Sequence, residues 1–154
     1  MTIAFISHAD CALHETTSYH PDTAERLAAI HDRLIASGLE MIMHFYDAPM
    51  VTFQQLCRVH DADYVSDIFQ KLQENERVWL DADTLMVSAS LTAAQRGAGA
   101  VVKAVDLVMS QDANSAFCCV RPPGHHAEHN KAMGFCIFNN VAVGVAHGIA
   151  QYGL

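Results

Sequence analysis

The chain has 154 residues, 9 Lys and Arg against 17 Asp and Glu, and a net charge of −8. Hydrophobic residues make up 51% and charged residues 17%, which excludes intrinsic disorder and suffices for one domain with a buried core. The acidic balance excludes a broad basic surface for nucleic acid or anionic membrane, and no run approaches the roughly 18 apolar residues of a membrane span.

The stretch Met1–Ala9 lacks a basic leader region and a cleavage site, and Thr2–Ser7 within it is predicted as a buried strand. A polar, histidine-bearing loop follows from His8 to Pro21. Asp22, with Glu25 three residues on, has the pattern of a capping box. It predicts a helix to Ser37, with Leu27, Ile30 and Leu34 on one face and Gly38 as its stop. Met41–Tyr46 is a second strand. Thr52 with Gln55 opens a short helix towards Arg58, His60–Asp61 breaks it, and Asp63–Gln73 is a further helix. Leu80–Val87, with Asp81, Asp83 and Thr84, reads as loop. Ser88 or Ser90 then caps a long Ala/Val-rich helix through Met109. Gly97 and Gly99 inside it cost about 1 kcal/mol each relative to alanine, which close packing against a neighbour would offset.

Ser115–Val120 is apolar on both faces, as in a central parallel strand. It runs into Arg121-Pro122-Pro123-Gly124, which cannot be helix or sheet interior. Asn139 or Asn140 caps a last helix through about Gln151. Alternating strands and helices imply a parallel α/β sheet. A βα unit ordinarily returns its chain to the sheet, so the pattern reads as a domain stopped partway. The five cysteines (Cys11, Cys57, Cys118, Cys119, Cys136) are odd in number and show no CxxC spacing, as for reduced thiols acting as small hydrophobes in a cytoplasm.

In open α/β sheets, ligands sit beyond the carboxyl ends of the strands. The loop after Ser115–Val120 carries His125, His126 and His129 there, in a chain with ten histidines. A stiff Pro-Pro-Gly turn presenting two imidazoles suits proton transfer, for which position must be held closely. Adjacent histidines rarely chelate one metal together. The alternative is a polar turn whose histidines bond to backbone. Downstream, Phe135 and Phe138 in Gly134–Asn140 are either core residues or the wall of an apolar slot.

RPPGHHA (Arg121–Ala127) followed by GFCIFNN (Gly134–Asn140) resembles the signature of the histone deacetylase family, in its bacterial and class II branch. That family includes acetylpolyamine amidohydrolases and acetoin-utilisation proteins. His20-Pro21 before Glu25-Arg26, His60–Val65, and Asp81–Thr92 with the Ala/Gly-rich helix are similar to further family segments in the same order. The resemblance implies an α/β fold with a three-layer parallel sheet of the arginase/deacetylase type, incomplete here, with residues 1–154 as the N-terminal portion of one domain. It implies zinc-dependent hydrolysis of an acetylated amine, either acetyl-lysine in a peptide or an acetylpolyamine. By motif position, His126 is the general base that later protonates the leaving amine, and His125 is an electrostatic partner. Gly134 and Phe135 line the slot for the acyl chain, Cys136 lies near its floor, Asp83 at its rim, and Arg26 in an internal channel.

The family's Asp-x-His and later aspartate ligands, and its oxyanion tyrosine, have no counterpart here. From Ala113 to Leu154 the only carboxylate is Glu128. Zn²⁺ is therefore expected for the family with its ligands outside this chain; Asp81, Asp83 and His60 show no zinc-site spacing. Three readings follow: the N-terminal part of an amidohydrolase, inactive alone; a non-catalytic binding or regulatory module that recognises acylated amines or associates with a full-length enzyme; or an unrelated metal-binding α/β protein. An unfinished sheet also makes a homo-oligomer an expectation.

Overall fold

The computed structural model describes residues 2–17, 19–74 and 77–154; Met1 of the N-terminal run and Ser18 of the loop after it lie outside the described residues. A parallel three-stranded sheet has β1 (Ile3–Ser7) at its centre, β2 (Met43–Asp47) on one side and β5 (Ser115–Cys118) on the other. Ile3 stands opposite both Met43 and Ser115, so the three strands start level and their carboxyl ends meet at one edge. Two three-residue strands, β3 (Arg77–Trp79) and β4 (Leu85–Val87), form a separate antiparallel pair.

Alternation along β1 separates two layers. Ala4 and Ile6 are fully buried and cluster with Ala100 and Leu107 of α4 (Ser90–Met109). Phe5 faces the other way, between Phe45 at 5.0 Å and Phe117 at 5.9 Å. On that side lies α1 (Glu25–Ser37), which reaches Phe5 through His31 and buries none of its own residues. The larger core lies beyond α4, where α2 (Phe53–Leu56), α3 (Ala62–Glu74) and α5 (Asn140–Tyr152) bring Leu56, Val65, Ile68 and Val143 against Ala94, Ala98 and Val102. No helix among the described residues is long and apolar enough to cross a membrane.

The glycines of α4 are explained by contact. A Cβ on Gly99 would lie 1.9 Å from the Pro49 carbonyl oxygen, and one on Gly97 would lie 2.9 Å from Asn140 Nδ2. The Thr52–Gln55 capping box forms with both reciprocal bonds, and Asn139 caps α5 by accepting from the Ala142 N–H.

Five sequence expectations are corrected. Asp22 does not cap α1: the N-cap is Ala24, without a side-chain bond, because Asp22 is drawn inside by Arg121. Leu80–Val87 is not all loop, since Leu85–Val87 pairs with Arg77–Trp79. The α4 helix is not capped by Ser88 or Ser90. Ser90 is its first residue, and its hydroxyl holds the Val87 N–H and the His14 ring instead. The strand Ser115–Cys118 is two residues shorter than expected and lies at the sheet edge, with Phe117 half-exposed. The second strand also begins at Met43, after a 3₁₀ turn over Leu39–Ile42.

Candidate active site

The chain leaves β5 through Cys119 and Val120 and is fastened at once by Arg121, which is 1% exposed. Its Nε donates to Asp22 Oδ1 at 3.1 Å, its Nη2 to the Asp22 carbonyl at 2.8 Å, and its Nη1 to the Cys11 carbonyl at 3.4 Å. A cis Arg121–Pro122 bond and Pro123 follow, and the turn is packed from behind by Asn140, which occupies the space a Cβ on Gly124 would need. His125 and His126 come next. Both side chains are exposed, with ring centroids 4.2 Å apart and no hydrogen bond among the described residues. Their backbone N–H groups both donate to Cys136 Sγ at 3.4 Å, and that buried thiol donates to the Gly134 carbonyl. The loop is therefore pinned beneath the rings while the rings stay free.

Gly134 and Phe135 occupy a tight turn closed by two Met133–Cys136 bonds, and both have positive φ, 57° and 67°. Positive φ at both central residues is the habit of a type I′ turn. Phe135, a bulky residue in that region, is held there from two sides. Its N–H donates to Thr84 Oγ1 at 3.1 Å, and its ring meets the His20 ring edge-on at 4.5 Å. Gly134 has a second reason to be glycine, since its Cβ would lie 2.9 Å from three atoms of the His126 side chain. Gly134→Ala is expected to lose about 1–2 kcal/mol to left-handed strain and also to displace the His126 ring. Gly153→Ala, at φ 71° with open space around it, is expected to show the strain alone. Thermal unfolding and the imidazole NMR signals of the two variants check this.

Arg26, on the first turn of α1, turns back to the site. Its Nη2 donates to the Val120 carbonyl at 2.9 Å and lies 3.5 Å from Asp22 Oδ1. With Pro21, Asp22, Val120, Pro123, His125 and Phe135 it lines a cavity of about 400 Å³. Asp83 is exposed beside Thr84, and its carbonyl faces His20 Nε2 at 3.2 Å, next to the Phe135 turn. The structure thus brings Arg26, Asp83, His125, His126, Gly134, Phe135 and Cys136 into one neighbourhood, drawn from four separate stretches of chain.

The remaining histidines near the loop are structural. His60 is buried, with Nδ1 facing the Glu128 and His129 carbonyls and Nε2 accepting from the Asn139 N–H. Burial pushes its pKa down. Both nitrogens are used, so His60 is not free to bind a metal. Tyr64 donates to the Ile137 carbonyl at 2.7 Å, and burial raises its pKa. His129 Nδ1 lies 2.6 Å from the Val59 carbonyl, so this histidine does bond to backbone.

Sequence reasoning missed the polar network under the loop: Arg121, Asp22, His14 and Ser90. Its one available signal was an arginine set between an apolar strand and two prolines. His14 is 2% exposed, with Nδ1 2.7 Å from Ser90 Oγ. Burial, and then the Arg121 charge, push its pKa from 6.5 down to about 4. The unfolded chain therefore binds a proton that the folded chain refuses between those values, so stability falls as pH drops from about 6.5 towards 4. Between pH 7 and pH 5 the expected loss is about 2 kcal/mol. Urea titrations at the two pH values check it, and His14→Gln should flatten the difference.

The donors described here do not make up a zinc site. No group of three or more His, Cys, Asp or Glu side chains is placed to share an ion among the described residues. Asp81 lies 3.7 Å from Lys131, and His60 is occupied as above.

A histone deacetylase domain model matches residues 20–154. The chain belongs to the histone deacetylase family. It is 34% identical over 134 residues to a histone deacetylase-like amidohydrolase of Pseudomonas aeruginosa, covering 87% of this chain and 34% of that protein. It is 32% identical to the polyamine deacetylase HDAC10 of Mus musculus over all of this chain and 24% of that one. A probable deacetylase of Archaeoglobus fulgidus is 30% identical over 93% of this chain and 40% of its own. The crystal structure of the HDA15 HD domain superposes with a TM-score of 0.89 at 29% identity, covering 97% of this chain and 44% of that one. Against these relatives the chain spans between about a quarter and a little under half of their length. Family membership also removes the unrelated metal-binding α/β protein from the three readings.

Proposed function

We propose that residues 1–154 are the N-terminal portion of a zinc-dependent deacetylase domain, to which they supply the proton-handling histidine pair and one wall of the acyl-chain slot. One observation carries this: two exposed imidazoles stand side by side on a loop whose backbone is fixed by Arg121, Asn140 and Cys136. In this reading His126 accepts a proton from the attacking water as its oxygen bonds to the acyl carbon. It then returns that proton to the amine as the C–N bond breaks, leaving acetate and a free amine. His125 supports the developing charge from the adjoining cavity wall.

Phe135 and Gly134 flank the alkyl chain of the substrate, Cys136 forms the floor, and Asp83 accepts hydrogen bonds from the substrate at the rim. Arg26, in the cavity beneath, holds the carboxylate product. Zinc, which the family uses, would be held by donors outside these residues. The net charge of −8 favours cationic substrates, an acetyl-lysine peptide or an acetylated polyamine.

The test joins this chain to the remaining portion of a relative's deacetylase domain and measures acetate release from an acetyl-lysine peptide and from an acetylated polyamine. Release from either, abolished by a chelator and restored by zinc, is the expected result. A folded product that releases acetate from neither contradicts the proposal.

A further inference from the structure

We propose that Thr84 and His20 are positioning residues for the substrate: together they preset the Asp83 carboxylate before substrate arrives. The inference rests on the deacetylase reading above, in which Asp83 accepts hydrogen bonds from the substrate at the rim, and adds what holds Asp83 ready.

Asp83 lies in the loop between β3 and β4, which the Leu80 N–H closes by donating to the Thr84 carbonyl at 2.8 Å. Its side chain is exposed, and an exposed aspartate ordinarily exchanges among staggered rotamers. Here a neighbour holds it. Thr84 donates its hydroxyl to Asp83 Oδ1 at 3.2 Å. Among the described residues that carboxylate has no second hydrogen-bond partner, so one hydroxyl sets its direction and Oδ2 is unused.

The hydroxyl is itself aimed. Thr84 is 1% exposed, so water does not compete for its oxygen. The Phe135 N–H donates to that oxygen at 3.1 Å, across 51 residues of sequence. An amide N–H can only donate, so the Thr84 hydrogen is turned away from Phe135 and towards Asp83. The polarity runs one way, from the Phe135 amide through the Thr84 hydroxyl to the carboxylate. The turn that presents Phe135 thereby also orients Asp83.

The main chain of Asp83 is fixed from the other side by the buried ring of His20. The Asp22 N–H donates to His20 Nδ1 at 3.1 Å, so the ring hydrogen sits on Nε2. The Asp22 carbonyl, 3.3 Å from the same Nδ1, already accepts from Arg121 Nη2 at 2.8 Å. Nε2 then donates to the Asp83 carbonyl at 3.2 Å. The edge-on contact between the His20 and Phe135 rings closes the circuit. A carboxylate held in this way loses little freedom when a substrate donates to it, which favours binding. The gain belongs to binding and not to bond breaking, so it is read in KM and not in kcat.

The experiment measures acetate release from an acetyl-lysine peptide by the joined protein, as wild type, Thr84→Val, Thr84→Ser and His20→Phe. Thr84→Val keeps the shape and removes the hydroxyl. It should raise KM by about 3- to 10-fold, the worth of immobilising one side chain, with kcat within about twofold. Thr84→Ser, which keeps the hydroxyl, should restore KM. His20→Phe keeps a ring against Phe135, loses the Asp83 bond, and should raise KM likewise. In an Asp83→Ala background Thr84→Val should leave KM unchanged, since the carboxylate it orients is gone. An unchanged KM in Thr84→Val or His20→Phe, or an equal rise in the Asp83→Ala background, would overturn the inference. A second measurement needs neither turnover nor a variant: the Hα–Hβ NMR couplings of Asp83 in the lone chain. They should report one χ1 rotamer, and averaged couplings would overturn the inference. No acetate from any form, with one fixed rotamer, removes the deacetylase reading and keeps the positioning of Asp83. Acetate release with averaged couplings does the reverse.

Discussion

Arg121→Met is expected to destabilise the lone chain by about 3–5 kcal/mol, the usual effect of removing one partner from a buried charge pair. Asp22 is 6% exposed and takes its closest ion-pair contact from Arg121 Nε. Its Oδ2 has no hydrogen-bond partner among the described residues, and His14 Nε2 stands 3.9 Å away. Without the guanidinium, Asp22 keeps Arg26 at 3.5 Å, whose side chain is 42% exposed, and the His14 ring at 3.9 Å. The Arg121→Met, Asp22→Leu double variant removes both charges and should recover most of the loss, since apolar replacement of a whole buried pair is often close to neutral. Urea unfolding of wild type, both single variants and the double completes the cycle. Losses that simply add would mean that the pair is not coupled.

His126→Ala is expected to lower kcat of the joined domain by about 10²- to 10⁴-fold, the range for loss of a general base. His125→Ala is expected to lower it less, because in the proposed mechanism no proton passes through that ring. The asymmetry follows from placement. His126 packs against the Gly134 turn, the slot wall of the proposed function, whereas His125 lines the cavity shared with Arg26. A pH–rate profile separates the roles: the limb belonging to the base should vanish in His126→Ala and persist in His125→Ala. Equal losses with the same profile in both would remove the distinction, and near-normal rates in both would remove the catalytic assignment altogether.

Much of the fold was legible because its signals are local. Thr52 and Gln55 form the capping box that their spacing encodes, Asn139 caps the last helix, and Gly38 closes the first at φ 72°. The candidate site could be marked out through RPPGHHA and GFC, whose residues converge by way of short loops. What escaped depends on partners far along the chain. Asp22 has the composition of a helix cap, and only an arginine 99 residues later draws it into the interior. His60 looks available until the carbonyls of Glu128 and His129 and the N–H of Asn139 are seen to occupy it. The β3–β4 pair was hidden by strands of three residues, too short for any alternation to register. Strand β5 has the apolar composition of a central strand and an edge position, a mismatch that composition alone could not express.

In the proposed function these residues carry the proton-handling half of a deacetylase site and not its metal. The most direct measurement is hydrolysis of an acetyl-lysine peptide by the purified 154-residue chain with zinc supplied, beside a chelator control and the His126→Ala variant. The expected result is no turnover above the chelator control. Chelator-sensitive turnover that His126→Ala abolishes would contradict the account, because the metal donors would then lie within this chain or a second copy of it.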